Sequence, residues 1–358
     1  MMQVFFDSKK AFKENFHEKN KNILVLTSKG HQSRGSVVEL INFFELSNFT
    51  IKNIEPNPTF SSINKLIDEL SQNYYDMLIS FGGGSVIDTT KALSIFLNNE
   101  NLFKTYFNKE KINHVNKKNI LQKIPHLAIP TTSGSGSEAT SFASIWSFEN
   151  KKKYSLENKV LLPEKVILDS NYLLSLNYKN TMFPGLDALS HCFDSFLNKN
   201  STQESLDLAE KSVNSFCNYF LDLNQNLESE ELRYHIHYAS YLAGKAININ
   251  KTSITHALSY PLTLYLNIPH GLACGIFIAP ITKLYYKELE KLKNSEPIFK
   301  TIELLNNIDL SNELKNYTNK INIDIYKNGI SEDRLSNFRF KFNNNDLEFL
   351  IKEINLKL

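Results

Sequence analysis

Short apolar runs alternate with segments of helical periodicity in the first half of the chain. Four of these runs predict buried strands, at residues 23–27, 77–81, 126–130 and 165–169. Apolar residues at helical spacing over 34–46 and 61–74 predict two helices between the first two strands. Strands that alternate with helices indicate an α/β domain whose parallel sheet is covered on both faces.

The pattern changes after about residue 178, where strand-like runs become rare. Helical patterns follow at 185–197, 203–221, 229–247 and beyond 276. Ser201 followed by Glu204 resembles a capping box at the start of the second helix. We therefore predict a Rossmann-like α/β domain over 1–178 and an all-α domain over 179–358. The polar tail after about 288 keeps apolar residues at helical spacing, so we expect it to be folded.

Composition and charge narrow the class of protein. The 358 residues carry 40 basic and 38 acidic side chains, a net charge of +2, which argues against nucleic-acid binding through bulk charge. We find no long apolar run and no signal-peptide pattern, so we expect a cytoplasmic protein with no membrane partner. The cysteines are odd in number and widely spaced, which predicts neither a disulfide framework nor a CxxC metal site. They are Cys192, Cys217 and Cys274.

A glycine-rich segment, 82–85, follows the second predicted strand and opens a predicted helix. Glycines let a ligand approach the backbone closely, and a helix N-terminus presents free N–H groups and a positive dipole end. Pyrophosphate suits such a site, and a tight turn without a ligand is the alternative. The segment matches neither GxGxxG nor the Walker pattern.

A second loop, 130–138, combines hydroxyls and glycines directly after the third predicted strand. It could hydrogen-bond a ribose, a phosphate or a carboxamide, or it could be a flexible linker. Its position at the carboxyl end of a parallel strand favours ligand binding.

Four residues of the second half form a candidate metal site. Asp187 and His191 are four residues apart on a predicted helix, so they share one face. A hydrogen bond between them is the simpler interpretation of this pair alone. His256 and His270, however, also lie among apolar and small residues. Such a set of nitrogen and oxygen donors without a thiolate suits Fe2+ or Zn2+, and Mn, Co and Ni remain open.

These elements, in this order, resemble the iron-containing (group III) alcohol dehydrogenase family. The resemblance runs from about residue 20 to 280 and implies a dehydroquinate synthase-like architecture. It also implies an NAD(P)-dependent, metal-containing alcohol dehydrogenase or aldehyde reductase that forms a homo-oligomer such as a dimer. Asp187, His191, His256 and His270 would be the metal ligands.

The resemblance also implies which residues bind the cofactor. The glycine-rich segment would hold the pyrophosphate through Gly83, Gly84 and Ser85, with Asp88 near the nicotinamide. The remaining contacts along the dinucleotide would come from Thr131, Thr132, Ser135 and Lys153.

One departure from the family concerns the choice of nicotinamide cofactor. Family members often carry an aspartate after the first strand that binds the adenosine ribose, whereas this chain has Ser28. Ser28 carries no charge to repel a 2′-phosphate, and Lys29 or Arg34 could attract one. We therefore favour NADP(H) over NAD(H) as the cofactor.

A second departure is Tyr260, which stands where many members have a histidine assigned to proton relay. The tyrosine hydroxyl, a bound water or the cofactor ribose could replace that histidine. The run 245–261 is similar to the phosphonoacetaldehyde reductase branch, which implies a small, anionic aldehyde as substrate. Lys251, five residues before His256, could pair with the anionic group, or it could be an ordinary surface lysine.

Related folds leave other functions open. These are a glycerol-type or glycerol-1-phosphate-type dehydrogenase, a dehydroquinate-synthase-like lyase, and a scaffold that has kept the fold without catalysis. The pair of Asp187 and His191 together with the loop at 130–138 favours the alcohol dehydrogenase branch.

Overall fold

A computed structural model describes residues 2–6, 21–99, 103, 123–327 and 329–358. The chain divides into two compact units. The first comprises Met1–Thr132, Ser137–Ser147 and Lys153–Leu173, and the second comprises Ser133–Gly136, Phe148–Lys152 and Leu174–Leu358. Two short segments from the first half of the sequence therefore belong to the second unit.

The first unit is built on a six-stranded sheet in which every paired neighbour is parallel. Its strands lie in the spatial order β1-β8-β5-β4-β2-β3. The two central strands, β5 and β4, are buried along their whole length, because helices cover both faces. A separate pair is formed by β6 and β7. The strands are β1 (Gln3–Phe5), β2 (Asn22–Thr27), β3 (Asn48–Asn53), β4 (Met77–Gly82), β5 (His126–Pro130), β6 (Phe142–Ser147), β7 (Lys152–Glu157) and β8 (Lys165–Ile167).

Helices connect the strands, and the predicted α/β domain with a parallel sheet is confirmed. The predicted helix over 34–46 is the shorter helix Ser36–Phe43, and Gly35, with a φ of 79°, is its N-cap. The helices are α1 (Lys29–Ser33), α2 (Ser36–Phe43), α3 (Phe60–Leu70) and α4 (Gly84–Phe96). Short 3₁₀ turns occur at Ser137–Ala139, Lys159–Leu161 and Ser170–Leu173.

The second unit is all-α after Leu174, as predicted. Its core is an apolar cluster in which aromatic side chains from several helices interdigitate. The helices are α5 (Tyr178–Phe196), α6 (Gln203–Gln225), α7 (Glu230–Asn250), α8 (Ile254–Leu266), α9 (His270–Leu284), α10 (Tyr286–Leu289), α11 (Glu296–Leu305), α12 (Leu310–Lys315), α13 (Glu332–Leu335) and α14 (Asn344–Asn355), with a 3₁₀ turn at Ile323–Tyr326. In the part of the chain that the structure describes, none of the helices is both long and apolar enough to cross a membrane.

The predicted capping box at the start of α6 is displaced by one residue. Thr202 is the N-cap, and its hydroxyl accepts from the backbone N–H of Ser205 while the Ser205 hydroxyl accepts from that of Thr202. Ser201 and Glu204 are therefore not the capping pair. The serine at the third helical position supplies the reciprocal bond that Glu204 was expected to make.

Candidate active site

Helices α5 and α9 bring the first metal-ligand candidates together. Asp187 and His191 lie one turn apart on α5, and both are buried. The first residue of α9 is His270, and the next is Gly271. A Cβ atom on Gly271 would lie only 1.8 Å from the carbonyl oxygen of Phe183, so only glycine permits this close approach of α9 to α5.

The four predicted metal ligands converge on one carboxylate oxygen. Asp187 Oδ1 lies 3.7 Å from Nε2 of His191, 3.3 Å from that of His256 and 3.9 Å from that of His270. Donor atoms bound to one tetrahedral ion at about 2.0–2.2 Å would be about 3.4 Å apart. The observed separations therefore fit a single cation.

Two of these buried donor atoms lack a hydrogen bond. Asp187 Oδ1 and His256 Nε2 are 3.3 Å apart, but neither has a hydrogen-bond partner of acceptable geometry among the described residues. Burial by itself would raise the pKa of Asp187, but the neighbouring imidazoles outweigh it and hold the pKa of this carboxyl well below its usual range. An ionised carboxylate beside an unpaired imidazole nitrogen is suited to a divalent metal.

Asp194 orients one of the ligand candidates, His256. Its Oδ2 lies 2.8 Å from His256 Nδ1 and accepts a hydrogen bond of 2.6 Å from Ser253 N, while Oδ1 accepts from Thr255 N at 2.9 Å. A proton on Nδ1 leaves the lone pair on Nε2, the atom that faces Asp187. Sequence reasoning missed Asp194, although it shares a helical face with Asp187 and His191 at a spacing of seven and three residues.

A thiol also reaches this cluster, contrary to the expectation of nitrogen and oxygen donors alone. Cys274 Sγ and one donor atom each from Asp187, His256 and His270 all lie within 4.8 Å of one another. His191 is not part of that compact set, although its ring stacks on His256 with centroids 4.8 Å apart. The compact set is therefore Asp187, His256, His270 and Cys274, and His191 lies beside it.

Two further predicted site residues lie close to His256 in the sequence: Lys251 precedes it and Tyr260 follows it. Tyr260 is buried on α8, one turn after His256, and its ring centroid lies 5.8 Å from that of His270. Lys251 is the C-cap of α7, with φ 69° and ψ 172°. That backbone conformation is essentially reserved for glycine, so the turn before α8 is strained.

In the first unit, the glycine-rich segment begins α4 as predicted. The N-cap, Gly83, offers no side-chain cap, and a Cβ atom there would lie 3.0 Å from Thr132 Oγ1. The first N–H groups of α4 are therefore not capped by a side chain of the N-cap residue, and they lie close to the start of the second loop. Ser85 Oγ accepts a hydrogen bond from Asn57 N at 3.0 Å.

The carboxylate of Asp88 makes its contacts with residues of the first unit. Its Oδ2 accepts from Ser144 N at 2.8 Å, its Oδ1 accepts from the Ser137 hydroxyl, and Lys91 Nζ lies 3.8 Å from Oδ1. These contacts tie α4 to β6 and to the end of the second loop.

The residues after β2, which the sequence predicts to face the adenosine ribose, form a small hydrogen-bonded group. Ser28 caps α1 by accepting from His31 N, and His31 Nε2 lies 2.8 Å from Thr131 Oγ1. Burial, aided by Arg34, lowers the pKa of His31 to about 4, so its ring is neutral at pH 7. Lys29 forms an exposed ion pair of 2.6 Å with Glu55. Lys29, which the sequence suggests as a partner for a 2′-phosphate, is therefore already paired with Glu55.

Glycines in the second loop permit close packing. Within the second unit, a Cβ atom on Gly134 would lie 2.5 Å from Pro184 Cβ, and one on Gly136 would lie 2.4 Å from Gly244 Cα. Such contacts argue against a flexible linker. Ser135 lies between these glycines, half-buried.

Lys153 lies on β7 in the first unit. Its Nζ is 4.9 Å from the centroid of the Trp146 ring, a cation–π contact.

Comparison with known proteins identifies the family. Residues 4–170 match the family model described as iron-containing alcohol dehydrogenase. Residues 181–325 match the model described as the C-terminal part of the Fe-containing alcohol dehydrogenase family. The chain belongs to the iron-containing alcohol dehydrogenase family, as the order of its motifs predicts.

Individual relatives agree with this assignment. A sulfoacetaldehyde reductase from Bilophila wadsworthia is 31% identical over 225 residues, which cover 63% of this chain and 56% of that one. A phosphonoacetaldehyde reductase from Streptomyces viridochromogenes is 27% identical over 225 residues, 63% of this chain and 57% of that one. These matches thus span less than two thirds of either reductase. A solved iron-containing alcohol dehydrogenase from Thermotoga maritima has a TM-score of 0.82 at 26% identity, covering 99% of this chain and 97% of that one.

Proposed function

We propose that this chain catalyses the metal-dependent, NAD(P)H-linked reduction of a small aldehyde to an alcohol, or the reverse reaction. The observation that carries the proposal is the buried cluster of Asp187, His191, His256 and His270, two of whose donor atoms lack a hydrogen bond. A divalent cation satisfies those donors. Fe2+ is the favoured ion because of the family, and Zn2+ suits the same donors.

The chain's own residues prepare the site for this chemistry. When bound, the divalent ion polarises the aldehyde oxygen and the reduced nicotinamide supplies the hydride. Asp187 contributes the negative charge that holds the ion, and Asp194 keeps the Nε2 lone pair of His256 directed at Asp187. The side chains of Asp187, His191 and His256 are buried, which limits competition from water.

Tyr260 is the proposed proton donor to the alcohol oxygen. It is buried, follows His256 by one helical turn and lies beside the His270 ring. The variant Tyr260→Phe keeps the ring and removes the hydroxyl. We expect it to lower kcat by at least about a hundredfold, as loss of a general acid does, with the metal content unchanged.

We propose that the first unit binds the pyrophosphate of the cofactor at the N-terminus of α4, which has no side-chain cap. We propose NADP(H) as the preferred form because Ser28 adds no negative charge beside a 2′-phosphate. The proposed contacts along the dinucleotide are Ser28, Gly83, Gly84, Ser85, Asp88, Thr131, Thr132, Ser135 and Lys153. The variant Gly83→Ala, whose Cβ would press on Thr132, should weaken NADPH binding in a fluorescence titration.

The proposed substrate class is a small aldehyde with an anionic group. Lys251 supports this proposal because it stands in a strained turn whose backbone is held in place. Asn198 Nδ2 donates to Lys251 O at 3.1 Å, and the amides of Ser253 and Thr255 donate to Asp194. Two relatives are named as reductases of a sulfonated and a phosphonated acetaldehyde.

The test is an aldehyde panel assayed with NADH and NADPH after reconstitution with Fe2+ or Zn2+. The panel contains phosphonoacetaldehyde, sulfoacetaldehyde and neutral aldehydes of the same chain length. We expect higher kcat/KM for the anionic aldehydes. No such preference would remove the substrate assignment and leave the reaction class intact.

Ligand variants test the reaction class itself. We expect His256→Ala and His270→Ala to lose bound metal and activity together. His235→Ala is the matched control, because His235 lies on α7 and stacks on Tyr219, with ring centroids 4.0 Å apart. Full activity in a metal-free variant would contradict the proposal.

A further inference from the structure

Cys274 contributes a sulfur atom to the metal-ligand cluster. It is fully buried on α9, one turn after His270, and its Sγ lies 3.8 Å from His270 Nδ1 and 4.0 Å from Nε2. Sγ and one donor atom each from Asp187, His256 and His270 lie within 4.8 Å of one another. We propose that Cys274 is a metal ligand, binding through its thiolate the same divalent ion as those three residues. This inference rests on the metal site of the proposed function.

The geometry supports direct ligation. Nitrogen, oxygen and sulfur donors at about 2.0–2.3 Å from one tetrahedral ion lie about 3.3–3.8 Å apart. A contraction of about 1 Å, within the reach of side-chain rotation, would bring the widest pair to that separation. Nε2 of His256 lies 3.3 Å from Asp187 Oδ1 and has no hydrogen bond of acceptable geometry among the described residues.

A thiolate from Cys274 would also make the donor set softer, which favours Zn2+ over hard ions such as Mg2+ and Mn2+.

A free cysteine can also be buried simply as a small apolar residue, without binding a metal. Cys192 is an example. Cys192 is equally buried and directly follows His191 on α5. Cys192 is nevertheless not part of the compact donor set. Position near a ligand in sequence is therefore not what distinguishes Cys274.

Cobalt substitution provides the test. The full chain is stripped of metal, loaded with Co2+, and its metal content is measured alongside its near-ultraviolet absorption. We expect a thiolate-to-cobalt charge-transfer band in the unaltered protein. The band should be lost in Cys274→Ser and Cys274→Ala and kept in Cys192→Ser. A band that survives in both Cys274 variants, or is absent from the unaltered protein with one Co2+ bound, would overturn the inference.

X-ray absorption on the Zn2+-loaded, unaltered protein needs no variant. We expect a sulfur shell at about 2.3 Å beside the nitrogen and oxygen shell at about 2.0–2.2 Å. A protein that binds one ion and reduces aldehydes without a sulfur shell would overturn the ligation by Cys274 and leave the proposed function standing. A protein that binds no ion would overturn both.

Discussion

Asp194 Oδ2 lies 2.8 Å from Nδ1 of the metal-ligand candidate His256. The same carboxylate accepts hydrogen bonds from the backbone N–H groups of Ser253 and Thr255. One fully buried side chain thus holds both the ring of a ligand candidate and the first turn of the helix that carries it. We therefore expect metal affinity and the start of α8 to depend on the same residue.

The variant Asp194→Asn should weaken metal binding. An amide in this position can donate to Nδ1, which would move the imidazole proton to Nε2 and block the atom that faces Asp187. We expect metal affinity to fall by about 10–100-fold, measured by competition with a chromophoric chelator. Asp207→Asn, on the exposed face of α6, is the control. Equal affinity in Asp194→Asn and the control would contradict the positioning role.

Backbone strain and side-chain charge at Lys251 can be separated by two variants. Lys251→Gly removes the charge and also relieves the φ of 69°, whereas Lys251→Ala removes the charge and keeps the strain. We expect Lys251→Gly to be more stable than Lys251→Ala by about 1–3 kcal/mol in urea denaturation. Both variants should lose the preference for anionic aldehydes equally, through a higher KM. A preference retained in either variant would argue against a substrate contact.

The proposed preference for NADPH over NADH should depend on charge at Ser28. Aspartate and asparagine are both good N-caps, so Ser28→Asp and Ser28→Asn should each preserve the cap of α1. Only the aspartate repels a 2′-phosphate. We therefore expect the ratio of NADPH to NADH affinity to fall in Ser28→Asp and to stay unchanged in Ser28→Asn. A fall of equal size in both variants would indicate a structural effect instead.

Glu138 makes folding stability depend on pH. Burial raises its pKa from 4.5 to about 7, against the nearby positive charge of Lys91. Between these two pH values the folded protein keeps a proton that the unfolded chain releases, so this group lowers stability as the pH rises. The cost approaches about 3 kcal/mol above pH 7.

The variant Glu138→Gln removes that proton equilibrium. The free energy of unfolding of Glu138→Gln, minus that of the unaltered protein, should increase as the pH rises from about 4.5 to about 7. Denaturant titrations at several pH values measure this difference. Glu149→Gln at the exposed surface is the control, and we expect its curve to parallel that of the unaltered protein. Parallel curves for both variants would contradict the burial effect.

Much of the fold was predictable because the central strands are buried on both faces. Such strands need uninterrupted apolar runs, and β2, β4 and β5 were found where those runs lie. The edge strand β3 was missed because its side chains are exposed or only half-buried, so it has no such run. The helix predicted from residue 34 begins at Ser36 instead, because a glycine at the edge of a helical pattern does not reveal the positive φ that makes Gly35 the N-cap.

The sequence by itself determined the family, the two kinds of domain and the pair Asp187 and His191, because local periodicity sets which residues share a helical face. Only the tertiary structure decided which distant side chains join that pair. Cys274 enters the donor set because Gly271 lets α9 approach α5 closely, and Glu55 neutralises Lys29 across two strand ends. Such contacts depend on how helices and strands pack, and spacing along the chain does not specify that packing.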